Sequence, residues 1–182
     1  MQDAPETVIV AEDEARLYLQ ATTMRVWVPR GQTPVVRADA GRAKTCFYGS
    51  LNLRTGMECV TQCQTMNAEA SANHLKQLLT MDPDVPILLL WDRAPWHSGE
   101  AIREVLAAHP RLEIVRLPVA APDLNPQEHV WKATREAVSH NHALTELPTL
   151  GDHFEHHLKH TRFPSSFLTH RGFYSVYPRS IC

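Results

Sequence analysis

The run Val85–Trp91, VPILLLW, followed at once by Asp92, constrains the fold more than any other part of the chain. It is the longest apolar stretch, and it is far too short to cross a bilayer as a helix. A short run without polar alternation reads as a strand buried on both faces, the kind found inside sheets covered on both sides. An acid at its end is then a pointed feature. Burying a lone carboxylate is costly, so Asp92 is expected to reach solvent, a partner or a metal.

Around this strand the sequence divides in two. TVIVAEDEARLYL opens as a buried strand, RVWVPRGQTPVVR reads as two short extended pieces around a Pro-Arg-Gly turn, and AKTCFYGSLNLRTGMECVTQCQT as a hairpin closing near LRTG. From NAEASANHLKQLLTM onward, helices alternate with strands. Leu75, Leu78 and Leu79 form one helical stripe; SGEAIREVLAAH carries Ile102, Val105 and Leu106 on another, with Ser98 as candidate cap. LEIVRLP is a short strand, and HVWKATREAVSH and LPTLGDHFEHHLKH are helical. This order predicts an α/β fold, a mixed sheet flanked by helices. One domain is expected over residues 1–182, with its core at about 7–160 and an irregular tail at 161–182.

The 182 residues, 43% apolar and 21% charged, suffice for one substantial core. A net charge of −2 excludes a protein that coats nucleic acid by bulk electrostatics, but it leaves room for a local basic track. Cys46, Cys59, Cys63 and Cys182 lack paired zinc spacing and read as reduced thiols. The N-terminus has no basic region before a long apolar run, so no signal peptide or membrane association is expected and the chain reads as cytoplasmic.

Two further acids invite comparison with Asp92. If the first strand continues, Ile9, Ala11 and Asp13 share one face while Glu12 and Glu14 point the other way. In APDLNPQEHVWK, Asn125 is a good N-cap, Pro126 suits the first helical position, and Glu128 falls at capping-box spacing. Carboxylates at the carboxyl ends of strands and at a helix N-terminus form a natural site for Mg²⁺ or Mn²⁺, and two such ions can activate a water and stabilise a leaving oxygen. Each acid also has a plainer reading. Asp13 reads equally as surface charge, Asp92 as a loop-starting residue bonding backbone amides, and Glu128 as a cap alone. The histidines of DHFEHHLKH, four apart in pairs, read as a solvated helix face.

Taken together, AEDEARL, LLLWDRAPWHSG and LPVAAPDLNPQEHVWK resemble the three signature blocks of mariner-type transposases, in the bacterial insertion-sequence branch. RVWVPRGQTP and FYGSLNLRTG also resemble the segments between the first two blocks, so the likeness runs from about Thr7 to Glu136. It implies a DDE catalytic domain of ribonuclease-H-like fold with a mixed five-stranded sheet. Asp13, Asp92 and Glu128 match the three catalytic, metal-holding acids, with two Mg²⁺ (or Mn²⁺) ions implied. The implied activity is divalent-metal-dependent cleavage of DNA at element ends and strand transfer into a target. Two departures stand out: Arg93 follows the second aspartate where asparagine is common, and Val119–Ala121 replaces proline-tyrosine-serine.

The resemblance implies DNA as partner, a homodimer on DNA, and a cytoplasmic, nucleoid-associated enzyme. The family's helix-turn-helix modules precede its catalytic domain, so the chain resembles the catalytic half alone, from a split or frameshifted reading frame with a separate DNA-binding chain, or left by truncation. Arg93, His97, Arg30, Arg42, Lys44 and Lys132 are the candidate DNA contacts. The stretch 25–54 carries six cations against Asp39 alone, suiting a phosphate track. His97 reads as a phosphate contact or as a structural residue; Trp27 and Trp96 as stacking platforms or as anchors. A different class of function stays open: an inactive transposase remnant, motivated by Arg93, that only binds DNA or another protein.

Overall fold

The computed structural model of the chain describes residues 7–33, 35, 42–81, 83–119 and 121–163. Its sheet has five strands in the order β3-β2-β1-β4-β5, where β1 is Val8–Tyr18, β2 Lys44–Asn52, β3 Glu58–Cys63, β4 Ile87–Trp91 and β5 Leu112–Arg116. β2 and β3 form the expected hairpin, and β2 pairs antiparallel with β1. β4 lies between β1 and β5, parallel to both. Of VPILLLW, Ile87, Leu89 and Trp91 are buried against one layer of helices, with Leu88 and Leu90 turned the other way.

Helices cover both faces because β1 alternates. Val8 and Val10 pack with α1 (Ala68–Met81) and α2 (Glu100–Ala108), whose Leu75, Leu78, Ile102 and Val105 are the apolar stripes read from spacing. Ala11, Ala15 and Leu17 face the opposite layer, built by α3 (Gln127–Thr134) and α4 (Leu147–His160) through Val130, Trp131, Leu150, Phe154 and Leu158. Each such large side chain withdrawn from water contributes about 1.5–3 kcal/mol.

In RVWVPRGQTPVVR the turn falls at Arg30 and Gly31 as expected, but the first piece joins no strand and leaves Val26, Trp27 and Val28 exposed; of the second piece, Pro34, Val36 and Arg37 lie outside the described residues. One expectation is corrected. Ser98 does not cap α2. Its hydroxyl donates to the Pro95 carbonyl at 2.8 Å, and Gly99, at φ +127°, turns the chain into the helix instead. The end of the tail, 164–182, lies outside the described residues. Cys46, Cys59 and Cys63 are free thiols, as read. Among the described residues no helix is long and apolar enough to cross a membrane.

Candidate active site

The parallel register of the central strands brings the first two acids together. Ala11 pairs with Leu90, so Asp13 and Asp92, each two residues further on, emerge side by side at the same sheet edge. Asp13 points toward the α3 layer, where the Trp131 indole donates to its Oδ2 at 3.1 Å, while Glu12 and Glu14 point the other way as alternation requires. A cavity of about 240 Å³ is lined by Asp13, Asp92 and Glu128, with Arg93, Leu117 and Asn125 among its other walls. The three carboxylates picked out of the sequence therefore meet.

Their charges are felt at once. Burial, then the charge of Glu128 and that of Glu14, push the Asp13 carboxyl up to about 7 from its ordinary 3.8. Asp92 moves the other way: the His97 ring beside it, the Ala94 amide and the Arg116 charge hold it below the usual carboxylate range against the effect of partial burial. A cluster of hard oxygen donors whose mutual repulsion already costs free energy fits Mg²⁺ or Mn²⁺, since a divalent cation removes that repulsion.

Glu128 reaches the cavity by a route the spacing did not disclose. The reciprocal capping box is absent, because the Asn125 N–H goes to the Pro122 carbonyl. Asn125 is instead the pin of the whole block. Its Oδ1 accepts from the Gln127 amide at 3.1 Å, and its Nδ2 donates to the Glu12 carbonyl at 3.0 Å. That second bond ties the start of α3 to β1 one residue before Asp13. Glu128, exposed in the first turn, is left free for the cavity.

Behind Asp92 lies a second cluster. The His97 Nε2 is 2.6 Å from Glu14 Oε1 and 3.7 Å from Glu12 Oε2, and its Nδ1 lies 2.8 Å from Asp92 Oδ1, an ion-pair distance with a bent hydrogen-bond approach. Burial pulls the His97 pKa down, but the neighbouring Asp92 and Glu14 outweigh it and the net shift is upward. Glu12 is 1% exposed, and burial followed by the charges of Glu14 and Asp13 raises it well above the carboxylate range.

The DNA-contact candidates scatter. Arg93 is exposed and lines the cavity, anchored by its Nε on the Leu117 carbonyl at 3.2 Å. His97 is 1% exposed, with both ring nitrogens against carboxylates, so its assignment as a DNA contact is corrected to an interior role. Arg30, Arg42, Lys44 and Lys132 are exposed, and none lines the cavity. Trp96 anchors its loop by donating to Glu14 Oε1 at 2.7 Å, whereas Trp27 stands fully exposed. Reading along the chain missed Glu14 and Arg116, whose partners are distant in sequence, and took Asn125 only as a cap.

Residues 8–151 match the family model described as DDE superfamily endonuclease. The chain is 26% identical over 146 residues to the insertion element IS630 uncharacterized 39 kDa protein of Shigella sonnei, an alignment covering 78% of this chain and 42% of that protein. It thus spans less than half the length of that relative. Its ribonuclease-H-like fold is similar to that of the Mos1 transposase in its paired-end complex with left transposon end, at TM-score 0.64 and 19% identity over 84% of this chain and 48% of that one. The Mos1 mariner paired end complex with Mn gives TM-score 0.64 and 18% identity, covering 92% and 52% of the respective chains. A family match of this extent places the chain in the DDE superfamily of endonucleases.

Proposed function

We propose that this chain is the catalytic domain of an insertion-sequence transposase that cleaves DNA at the element ends and joins the freed 3′-hydroxyl to a target strand. The observation that carries the reading is the meeting of Asp13, Asp92 and Glu128 on one cavity. Those three would hold two Mg²⁺ or Mn²⁺ ions, which supply nucleophile activation and leaving-group stabilisation when bound. The solved relatives complexed with transposon ends, and with Mn or Mg, support DNA and a divalent metal as ligands. Trp131 fixes one Asp13 oxygen, Asn125 fixes the approach of α3, and Arg93 offers a cation to DNA phosphate at the cavity mouth.

In the same reading the chain works in the bacterial cytoplasm at the nucleoid, as a homodimer on paired ends. The exposed apolar side chains of Met24, Val26, Trp27 and Val28 are suited to being covered by a second protomer. Arg30, Arg42, Lys44 and Lys132 supply salt-sensitive phosphate contacts. The test is nicking of a labelled terminal-repeat duplex with Mg²⁺ or Mn²⁺. Wild type should cut and Asp92→Ala should not; equal activity in the two ends the proposal. Arg93 at the cavity favours a second reading, a remnant that binds DNA or a partner without cutting, which predicts no carboxylate-dependent Mn²⁺ binding by calorimetry.

A further inference from the structure

We propose that Glu14, acting through His97, is a positioning residue that orients the Asp92 carboxylate from the far face of the sheet. The inference rests on the reading of Asp92 as a metal ligand. Glu14 follows Asp13 on β1 and therefore points away from the cavity into the α1 side, where its carboxylate is 3% exposed. One of its oxygens accepts both the Trp96 indole N–H at 2.7 Å and the His97 Nε2–H at 2.6 Å. The opposite ring nitrogen of His97 lies 2.8 Å from Asp92 Oδ1.

Everything around the imidazole removes its freedom to turn. The ring stacks on Trp91 at 4.1 Å between centroids. Arg116 donates to the Asp92 carbonyl at 2.8 Å and to the His97 carbonyl at 2.9 Å, so one guanidinium clasps both ends of the turn, itself lying 4.6 Å over the Trp91 ring. Asp92 Oδ1 also accepts the Ala94 amide at 2.8 Å. The Ala94 hydrogen bond and the His97 ion-pair contact thus both bear on Oδ1 and fix the carboxylate from one side. Carboxylates that ligate metals are themselves held by outer partners, and removing such a support typically costs 10–100-fold in metal affinity or activity.

Glu12, Glu14 and His97 also bring one ligand atom each within 4.8 Å of one another, the disposition of a metal site. The hydrogen bonds decide for a brace. Glu14 Oε1 is already filled by two N–H donors, and the bond to His97 occupies the nitrogen that a cation would need.

The experiment compares wild type, Glu14→Gln and Glu14→Ala by two readouts. In the metal-free protein, NMR of the His97 ring should show a protected N–H proton on Nε2, the nitrogen that faces Glu14. Glu14→Ala should lose the Nε2 proton, and Glu14→Gln, whose amide oxygen still accepts, should keep it. In Mn²⁺ calorimetry, Glu14→Ala should weaken binding about 10–100-fold, with Glu14→Gln restoring most of it. A folded Glu14→Ala that binds Mn²⁺ as wild type does overturns the proposal, as does an unprotected Nε2 in wild type. If wild type itself binds no Mn²⁺, the proposed function fails, while the ring protons still decide whether the brace exists. Should Glu14→Ala not fold, Trp96→Phe, which deletes one donor to Glu14, must lower Mn²⁺ affinity several-fold, and unchanged affinity overturns the proposal. Mn²⁺ still bound by Asp13→Asn/Glu128→Gln, and released by Glu14→Gln, would make the cluster a metal site and sink the brace.

Discussion

Replacing Asp13 by asparagine should stabilise the metal-free protein while destroying its use for a cation. The Asp13 carboxyl is pushed up to about 7 from an ordinary 3.8 by burial and by the charges of Glu128 and Glu14. A raised carboxylate pKa means that folding opposes ionisation, so the cost is full above the folded value and disappears as pH falls toward 4. Roughly three pH units at about 1.36 kcal/mol each set an upper limit near 4 kcal/mol at pH 8. Glu128 is exposed and its share is screened by solvent, so about 2–4 kcal/mol is the expected gain. Asparagine keeps the size of the side chain and an oxygen for the Trp131 N–H. Urea unfolding at pH 8 in EDTA should therefore show Asp13→Asn more stable than wild type, with a melting temperature higher by roughly 5–15 °C for a domain of this size. Lowering the pH to 5 should close most of the gap. Saturating Mg²⁺ should stabilise wild type, by about 2.7 kcal/mol at a hundred times its dissociation constant, and leave the variant little changed. An Asp13→Asn protein no more stable than wild type at pH 8 without metal would refute the claim that repulsion among these acids is built into the site.

Three further outcomes are expected. A Cβ at Gly49 would lie 2.5 Å from Glu58 Oε1 and 2.6 Å from the Trp131 ring, so Gly49→Ala should lose roughly 1–3 kcal/mol in urea unfolding and, by displacing α3, weaken Mn²⁺ binding. His74, buried between Ser50 and Thr61, has its pKa lowered to about 3 by burial and by His97. Protonation below about pH 6.5 then favours the unfolded chain, and the stability that wild type holds over His74→Gln should shrink by about 2 kcal/mol from pH 7 to pH 5; a constant difference would contradict it. Arg93→Asn removes a cation from the cavity wall and should tighten Mn²⁺ by roughly fivefold, about 1 kcal/mol. The same change should lower the salt slope of DNA binding by about one.

What the sequence disclosed, and what it hid, follows from where each residue finds its partners. VPILLLW announced a strand covered on both faces because seven apolar residues have no other economical fate, and the parity of β1 put Asp13 and Glu14 on opposite faces by geometry alone. Leucine stripes located α1 and α2 for the same reason. The caps that spacing suggests at Ser98 and Glu128 do not form, since the Ser98 hydroxyl and the Asn125 N–H find nearer acceptors in the Pro95 and Pro122 carbonyls, which spacing does not count. Val26, Trp27 and Val28 carried strand-like residues but gained no neighbour in the sheet, which shows that β propensity needs a partner edge to be realised. In the sequence a histidine near an acidic residue reads alike whether it faces solvent or the interior, so His97 looks there like a DNA contact. Its fate is set by Glu14, 83 positions away, and by Trp91 beneath it. Asn125 reaches Glu12 across 113 positions to bring Glu128 to the cavity. A linear pattern can nominate three acids, but only these long-range bonds, each confined to one interior geometry, make them a site.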